Sequence, residues 1–383
     1  MTKRIYMIAG EASGDQLGGM LVQEMRTLDD SIEYRGIGGF SMMQQGIASQ
    51  FPMRELSIMG FAEVLPHLLR IKKRIQQTVL DIEAYKPDVL LTIDSPGFNY
   101  RVVSQLRKRG IHVPKCVHYV APTVWAYKPE RAATTAELFD HLLCLLPFEP
   151  PYFEEKMPTD FVGHPMAWWW RSKGFAEGFR ARHHIQPDVP LVALFPGSRI
   201  NELKHHLPVM RDALKLMLAK QPNLHATIYV REDIAQETYA LTRNWPCPLT
   251  LCNDPLQKKQ LFAASTVAIA KSGTISLECA LAGLPSVTIY KASAISAWYV
   301  RRKIKTPYVH LANILARNMV IPELLQENCT PTNTAQHALS LLHDADARAA
   351  QVQALSHISE MLGTAEEISP SMRAAKIILQ HIG

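Results

Sequence analysis

Acids and glycines follow two apolar runs in the first half of the chain. The stretch "GEASGD" at residues 10–15 comes after the run at residues 5–9, and Asp94 opens "DSPGFN" after the run at residues 89–93. Ligands of open parallel sheets bind beyond the carboxyl ends of the strands, which is where Asp94 would lie. Its carboxylate is predicted to be either a helix N-cap or a general base, and its position alone leaves both open.

The spacing of "GEASGD" matches neither the G-x-G-x-x-G dinucleotide fingerprint nor the G-x-x-x-x-G-K-[ST] phosphate loop. It predicts a strand, a turn that glycine permits, and a helix start whose backbone N–H groups point beyond the end of the strand. The same turn is also needed merely to link a strand to a helix. The candidate ligand contacts in this loop are Gly10, Glu11, Ser13, Gly14 and Asp15.

Two turns in the second half of the chain are suited to an anion. In the first turn, Gly197 and Ser198 let the backbone approach a ligand. Arg199 follows them and can donate a forked pair of hydrogen bonds to phosphate oxygens.

The second turn is Ser272-Gly273-Thr274, again at a predicted strand end that leads into a helix. It would present N–H groups and hydroxyls to a diphosphate at the helix N-terminus. Glu278, about one turn farther on, could accept hydrogen bonds from ribose hydroxyls. A capping box explains part of this pattern, but not the glycine and the preceding loop together.

An amphipathic stretch near residue 60 ends in a basic cluster. Its apolar residues recur at helical spacing, and Arg70, Lys72, Lys73 and Arg74 follow them. Such a stripe either packs on a core or lies on an anionic lipid surface as an interfacial helix. The apolar residues concerned are Met59, Phe61, Val64, Leu65, Leu68 and Leu69.

The elements that must position these residues alternate along the chain. Apolar β-branched runs are followed by helical patterns in two separate series, and 383 residues exceed what one core usually organises. We therefore predict an α/β fold with two doubly wound Rossmann-like domains that face each other across a cleft. The predicted domains span residues 1–165 and 166–349, and a helical tail at about 350–383 is expected to pack back on the first domain.

Composition narrows the class of protein. The net charge of +6 permits an anionic partner, and the six cysteines form no C-x-x-C pair, which favours reduced thiols. The sequence contains no motif that requires a metal and no nucleic-acid-binding module. Apolar runs are too short to span a bilayer. Trp168 to Trp170 are predicted to pack in the seam between the domains or to contact a membrane interface.

The chain resembles the lipid-A-disaccharide synthase family, glycosyltransferases of the two-Rossmann GT-B type. The matching stretches occur in family order from residue 9 to residue 327. They are "AGEASGD", "MGFAEVL", "IDSPGFN", "HYVAPTVWAY", "LLPFE", "GHPMA", "PGSRINE", "KSGTISLE" and "ANILARNMVIPELLQE".

This resemblance implies the reaction. A 2,3-diacylglucosamine is transferred with inversion from UDP to the 6-hydroxyl of 2,3-diacylglucosamine 1-phosphate, giving the β-1,6-linked lipid A disaccharide 1-phosphate and UDP. It also implies that Asp94 and Arg199 are essential and that Glu278 and Asn313 lie at the UDP site. Peripheral association with the cytoplasmic face of the inner membrane and a possible homodimer are further expectations. No cofactor is expected.

An inverting transfer needs a base for the acceptor proton and a site that stabilises the departing diphosphate. We assign these roles to Asp94 and to Arg199 with the Ser272-Gly273-Thr274 helix start, without a metal. "GEASGD" is then interpreted as an acceptor-side loop, and the Phe61–Leu69 stripe as an acyl-chain and membrane contact.

Rival functions share parts of this pattern. A UDP-sugar 2-epimerase, or an N-acetylglucosaminyl transferase that acts on a polyprenyl lipid, would share the nucleotide-binding half. An epimerase has no use for a lipid-facing stripe. A peripheral membrane-binding module would explain the stripe but none of the four strand-end turns.

Overall fold

The computed structural model describes residues 2–56, 68–171, 176–292 and 306–382. The chain divides into two compact units. Unit 1 comprises Met1–Pro165 and Ala365–Gly383, and unit 2 comprises Met166–Thr364. Within these residues, each unit contains one six-stranded sheet. The α/β class predicted from the alternating apolar runs and helical patterns is confirmed.

The sheet of unit 1 is parallel and has the strand order β2-β1-β3-β4-β5-β6. Its central strands are continuous apolar runs because parallel strands are buried on both faces. The strands are β1 (Arg4–Ala9), β2 (Glu33–Ile37), β3 (Val89–Ile93), β4 (Lys115–Tyr119), β5 (His141–Cys144) and β6 (Thr159–Phe161).

Helices connect these strands and bury their apolar side chains against the sheet. The core of the unit joins Tyr6 and Ile8 of β1 to Val102 and Leu106 of the helix after β3. The helices in this part of the chain are α1 (Ala12–Leu28), α2 (Phe40–Gln44), α3 (Leu68–Tyr85), α4 (Pro96–Arg109) and α5 (Arg131–Leu138).

A buried carboxylate joins α1 to α2. Asp15 accepts hydrogen bonds from the backbone N–H groups of Gly39 (2.7 Å), Ser41 (2.8 Å) and Met42 (3.0 Å). These are donors at the start of α2 that lack a partner within the helix. The two helices approach closely because α1 carries glycine here: a Cβ on Gly18 would lie 2.8 Å from the Met42 sulfur.

The sheet of unit 2 is also parallel and has the order β12-β11-β10-β7-β8-β9. This is the Rossmann strand order, with β7 as its first strand. The strands are β7 (Leu191–Phe195), β8 (His225–Tyr229), β9 (Leu249–Cys252), β10 (Val267–Lys271), β11 (Ser286–Tyr290) and β12 (Glu323–Leu325).

The core of unit 2 packs Leu207, Met210 and Leu214 of one long helix against Leu194 and Ile269 of the sheet. The helices described in this unit are α6 (Pro165–Arg171), α7 (Ala176–Arg182), α8 (Ile200–Leu218), α9 (Ala235–Leu241), α10 (Lys258–Ala264), α11 (Thr274–Leu281), α12 (Leu311–Ala316), α13 (Pro331–His343) and α14 (Ala345–Ser359).

Two of the three tryptophans of α6 pack on α10 within unit 2. Trp170 is buried and packs on Phe262 of α10, with the ring centroids 4.6 Å apart, and Phe262 packs on Phe195 of β7. The Lys259 ammonium lies 4.0 Å from the centroid of the Trp169 ring. These contacts within one unit account for the burial of Trp170.

The chain returns to unit 1 at its end, through α15 (Pro370–Leu379), which packs on α1. The Ser369 hydroxyl donates to Glu24 of α1 (2.6 Å), and His381 forms a 2.9 Å hydrogen bond with His141 of β5. The part of the tail that belongs to unit 1 begins at Ala365, whereas residues 350–364 belong to unit 2.

Candidate functional site

The four strand-end turns identified in the sequence follow the strands on either side of the point where the strand order of each sheet reverses. Chain connections leave in opposite directions where the strand order reverses, and this opens a crevice at the carboxyl edge of the sheet. The order reverses between β1 and β3 in unit 1, and between β7 and β10 in unit 2. The turns after these four strands are "GEASGD", "DSPGFN", "PGSR" and "SGT".

The two turns of unit 1 are in contact. Ala9 of β1 pairs with Ile93 of β3, so the turns start side by side. A Cβ on Gly10 would lie 2.5 Å from the Ser95 hydroxyl oxygen, a distance that real Cβ atoms do not reach. Glycine at position 10 is therefore required for the two turns to meet.

Asp94 lies in an unusual backbone conformation at the end of β3. Asp94 (φ 49°) and Ser95 (φ 46°) are both left-handed, a conformation that costs free energy in residues with a side chain. Asn99 of α4 stabilises it by donating a 2.7 Å hydrogen bond to the carbonyl oxygen of Asp94. The N-cap residue of α4 is Ser95, so Asp94 precedes the helix rather than capping it.

Burial raises the pKa of the Asp94 carboxyl above the usual range for aspartate, although a hydrogen bond from the Ser95 backbone opposes the shift. A carboxylate with a raised pKa is a stronger base. Position, strain and basicity thus favour a general base at Asp94.

The "GEASGD" loop has an outer and an inner part. Glu11 is the N-cap residue of α1, and Glu11 and Ser13 are half-buried. Gly14 lies close to β3: a Cβ built on Gly14 would be 3.4 Å from the Ile93 carbonyl oxygen. Asp15 faces inward, and its carboxylate is bonded to the start of α2. The inner residues therefore support the loop, and the outer residues remain the candidate contacts.

Glu202 organises the two turns of unit 2. It lies in the first turn of α8 and accepts a 2.8 Å hydrogen bond from the backbone N–H of Ser198. Its Oε1 lies 3.4 Å from the Arg199 guanidinium and 3.0 Å from Nζ of Lys271, the last residue of β10. One carboxylate therefore links the turn after β7 to the turn after β10.

The charge of Glu202 is stabilised by these partners. Burial alone would raise the pKa of its carboxyl, but Lys271, the Ser198 N–H and Arg199 outweigh that effect and lower the pKa. Gly197 (φ 125°) leaves space for the Glu202 side chain, since a Cβ at position 197 would overlap the Glu202 carboxylate.

The turn after β10 begins α11 with a glycine. Gly273 (φ 143°) is the N-cap residue, and its N–H donates a 3.1 Å hydrogen bond to the Ser276 hydroxyl. Ser272 is buried, whereas Gly273 and Thr274 are exposed at the helix start. This arrangement fits the predicted anion site at a helix N-terminus.

Glu278 is buried on α11 and forms an ion pair with Lys258 at the start of α10, with 2.5 Å between Nζ and Oε2. Lys258 also lies near Tyr229 of β8, 5.7 Å from the ring centroid. A ribose hydroxyl at Glu278 would thus share the carboxylate with Lys258.

The side-chain amide of Asn313 is hydrogen-bonded to other residues of unit 2. It donates to the Ile321 carbonyl oxygen and the Glu323 carboxylate, both at 2.8 Å, and its oxygen accepts from the N–H groups of Val320 and Ile321. Two donors and two strong acceptor contacts fill its hydrogen-bonding capacity. Asn313 shapes the loop between α12 and β12 in this structure.

A buried histidine joins two further strand ends. His206 of α8 bonds through Nδ1 to the Pro196 carbonyl oxygen (2.8 Å), and its Nε2 accepts from the Lys291 N–H (3.0 Å). Burial lowers the pKa of His206, which matches this neutral form. His206 therefore links the chain after β7 to the chain after β11.

Glu202, Lys271, Lys258 and His206 were not predicted as site residues. The signal for Glu202 was its place three residues after Arg199, in the first turn of a helix where acids are favoured. No sequence pattern pairs Lys271 with Glu202, because the two residues are 69 positions apart and are brought together only by the pairing of β10 with β7.

The predicted membrane residues lie mostly outside the described part of the chain. Met59, Phe61, Val64 and Leu65 belong to residues 57–67, and Leu68 begins α3. Leu69 is 84% exposed on that helix. No helix among the described residues is long and apolar enough to cross a membrane. In the same residues, no group of three or more His, Cys, Asp or Glu side chains is placed to hold a metal ion.

A buried acid follows β5 in the "LLPFE" stretch. Glu149 accepts hydrogen bonds from the backbone N–H groups of Leu146 (3.0 Å) and Leu145 (3.2 Å). Burial raises the pKa of its carboxyl to about 7, against the opposing effects of these N–H groups and the Trp125 indole. Glu149 therefore titrates near neutral pH.

Comparison with known proteins decides the family. The model of the lipid-A-disaccharide synthetase family matches residues 5–378. The lipid-A-disaccharide synthase of Rhodospirillum centenum is 41% identical over 381 residues, which cover 99% of this chain and 94% of the relative. The chain belongs to the lipid-A-disaccharide synthase family. It is accordingly a glycosyltransferase, as the resemblance implied.

Solved structures show the fold. The glycosyltransferase of kitacinnamycin has a TM-score of 0.64 at 15% identity, with 99% of both chains covered. The UDP-GlcNAc 2-epimerase of Neisseria meningitidis, solved with UDP-GlcNAc, has a TM-score of 0.61 at 13% identity, with 98% of both chains covered. The predicted GT-B type is confirmed, and the fold alone does not separate transferase from epimerase.

Glu149→Gln should change how stability depends on pH. An unfolded glutamate releases its proton near pH 4.3, whereas Glu149 keeps it up to about pH 7. Over this range the folded chain binds the extra proton, so wild-type stability falls as pH rises. Glutamine has no such proton. The melting temperature of the variant, relative to wild type, should therefore be higher at about pH 8 than at about pH 5.

The matched control is Glu154→Gln, which changes an exposed acid five residues away. Its melting temperature relative to wild type should vary little between the two pH values. A difference for Glu149→Gln that stays constant with pH would contradict the raised pKa.

Proposed function

We propose that the chain joins two acylated glucosamine units, with UDP-2,3-diacylglucosamine as donor and 2,3-diacylglucosamine 1-phosphate as acceptor. The products are the β-1,6-linked disaccharide 1-phosphate and UDP. The family match along residues 5–378 is the observation that carries this proposal. The strand-end turns supply groups that suit both halves of the reaction.

Asp94 acts as the general base in this proposal. It takes the proton of the acceptor 6-hydroxyl while that oxygen forms a bond to C1 of the donor sugar. The bond between C1 and the diphosphate oxygen breaks, and its electron pair leaves with UDP. The raised pKa of Asp94 favours proton transfer, which contributes about 10²- to 10⁴-fold to rate in such sites.

Unit 2 stabilises the leaving group. Arg199 is half exposed at the start of α8 and can reach phosphate oxygens, while the N–H groups at the start of α11 can bond to the same diphosphate. Gly197, Ser198, Ser272, Gly273 and Thr274 supply the close backbone approach. Preorganised donors of this kind act where charge develops in the transition state.

Glu278 is proposed to bind the ribose hydroxyls, with Lys258 holding its carboxylate in place. Asn313 is proposed to act through the loop that it folds, since its amide is already fully bonded. On the acceptor side, Gly10, Glu11 and Ser13 are the proposed contacts, with Gly14 and Asp15 as their support.

The membrane surface is the proposed source of both lipid substrates. Leu69 is exposed at the start of α3, beside the exposed cations Arg70, Lys72 and Lys73. An exposed apolar residue with adjacent cations favours contact with anionic lipid. Together with the stripe from Phe61 to Leu69, these residues are proposed to place the chain at the cytoplasmic face of the inner membrane.

The proposed reaction predicts a disaccharide from the acylated pair and a specific loss in Asp94→Asn. Purified wild type with both substrates should release UDP and form the disaccharide, resolved by mass spectrometry. Asp94→Asn should lower kcat by about 10²- to 10⁴-fold because asparagine cannot take the proton. Its KM and its melting temperature should stay close to those of wild type.

Near-normal turnover by folded Asp94→Asn would contradict the base assignment alone. Turnover of unacylated UDP-GlcNAc by wild type, without any disaccharide, would contradict the proposed reaction and favour the epimerase or the polyprenyl-lipid transferase.

Leu65→Glu combined with Leu69→Glu should weaken membrane association. Two carboxylates beside the basic cluster remove apolar area and add repulsion from anionic lipid. Flotation with liposomes that contain anionic lipid should recover less of the variant, and its apparent KM for the lipid substrates should rise.

The matched control is Leu80→Glu, which alters another leucine of α3 whose side chain is 56% exposed. It should float like wild type. Unchanged flotation of the double variant would contradict the membrane assignment of this stretch.

A further inference from the structure

Lys271 is placed where a second cation could contact the diphosphate. It is the last residue of β10 and directly precedes the Ser272-Gly273-Thr274 turn. Its side chain is largely buried, at 17% exposure, and its Nζ lies 3.0 Å from Glu202 Oε1. A lysine that serves only for solubility would extend into solvent.

The ammonium lies beside the start of α11. A Cβ built on Gly273 would be 3.3 Å from Lys271 Nζ, so the charge is adjacent to the N-cap residue of the helix. It also lies 5.7 Å from the centroid of the Tyr290 ring at the end of β11. Residues from β10 and β11 and from the first turn of α8 thus enclose it.

This location is electrostatically unfavourable without an anion. The start of a helix carries a partial positive charge, and cations are normally stabilised at the opposite end. Glu202 supplies the compensating charge, but its Oε1 is shared with Arg199 at 3.4 Å, and its Oε2 accepts from the Ser198 N–H. Because the Glu202 carboxylate contacts the Ser198 N–H, Arg199 and Lys271, it holds these three donors close together.

We propose that Lys271 is a second cationic contact for the diphosphate of the donor, and that Glu202 is the residue that positions it together with Arg199. This inference rests on the proposed function of the site. An ammonium has three donor hydrogens, so it can bond to Glu202 and to a phosphate oxygen at the same time. As the bond from C1 to the diphosphate breaks, the leaving oxygen gains negative charge that Lys271 helps to stabilise.

The test compares UDP with uridine, which lacks the diphosphate. Lys271→Met should raise the Kd for UDP by about tenfold or more, measured by calorimetry, because a charge-assisted contact is lost. The Kd for uridine, measured by NMR titration, should stay within about twofold of wild type. Lys271→Arg keeps the charge and should retain most of the UDP affinity.

The matched control is Lys204→Met, which removes the charge of an exposed lysine on α8. It should leave both affinities unchanged. Unchanged UDP affinity in Lys271→Met would overturn the inference, and so would an equal loss for UDP and uridine with a lowered melting temperature, which indicates a purely structural role.

The wild-type result separates this inference from the function on which it rests. Wild type that binds UDP and forms the disaccharide, with Lys271→Met unaffected, refutes the inference alone. Wild type that binds no UDP refutes both.

Discussion

The reversal of strand order in each sheet is the constraint on which the candidate site depends. Among the described strands, neighbours send their chains in opposite directions only between β1 and β3 in unit 1 and between β7 and β10 in unit 2. In open α/β sheets, the carboxyl edge at such a point is where ligands bind, because the connections leave on opposite faces. The candidate site residues, which are acids, cations and glycines, lie in or beside the four turns that follow these strands.

Glycine and strained backbone allow those turns to meet. Gly10 admits Ser95, and Gly197 admits Glu202, at distances that exclude any side chain. Asp94 and Ser95 adopt left-handed conformations that the surrounding sheet and Asn99 must stabilise. Strain of this kind costs free energy and persists only where neighbouring contacts determine the conformation. In unit 2 the linking element is electrostatic, since Glu202 connects Ser198, Arg199 and Lys271 across the crevice.

Long apolar runs made the central strands and the fold class predictable from sequence. The strands β2, β5, β6, β9 and β12 were not predicted, and four of them form sheet edges, where short and more polar segments suffice. The positions of Asp94 and Arg199 beyond strand ends followed from the same pattern. The Glu202–Lys271 and Glu278–Lys258 ion pairs were not predicted, because each joins residues from separate elements that only the folded sheet brings together.

The fold also limits what shape alone can say about function. A transferase and an epimerase share this architecture at low identity, so the reaction is determined by the turns and the residues they carry. Motif order and the family match support formation of the lipid A disaccharide. The charged groups at the turns of unit 2 are the proposed contacts for the diphosphate.

Hydrogen–deuterium exchange with and without UDP would show which turns contact the nucleotide. Saturating UDP should slow exchange in peptides that contain residues 197–202 and 271–276. Peptides that contain residues 10–15 and 94–99 should exchange at the same rate in both states. Protection of the unit 1 turns without protection of the unit 2 turns would contradict the assignment of the nucleotide to the β7–β10 crevice.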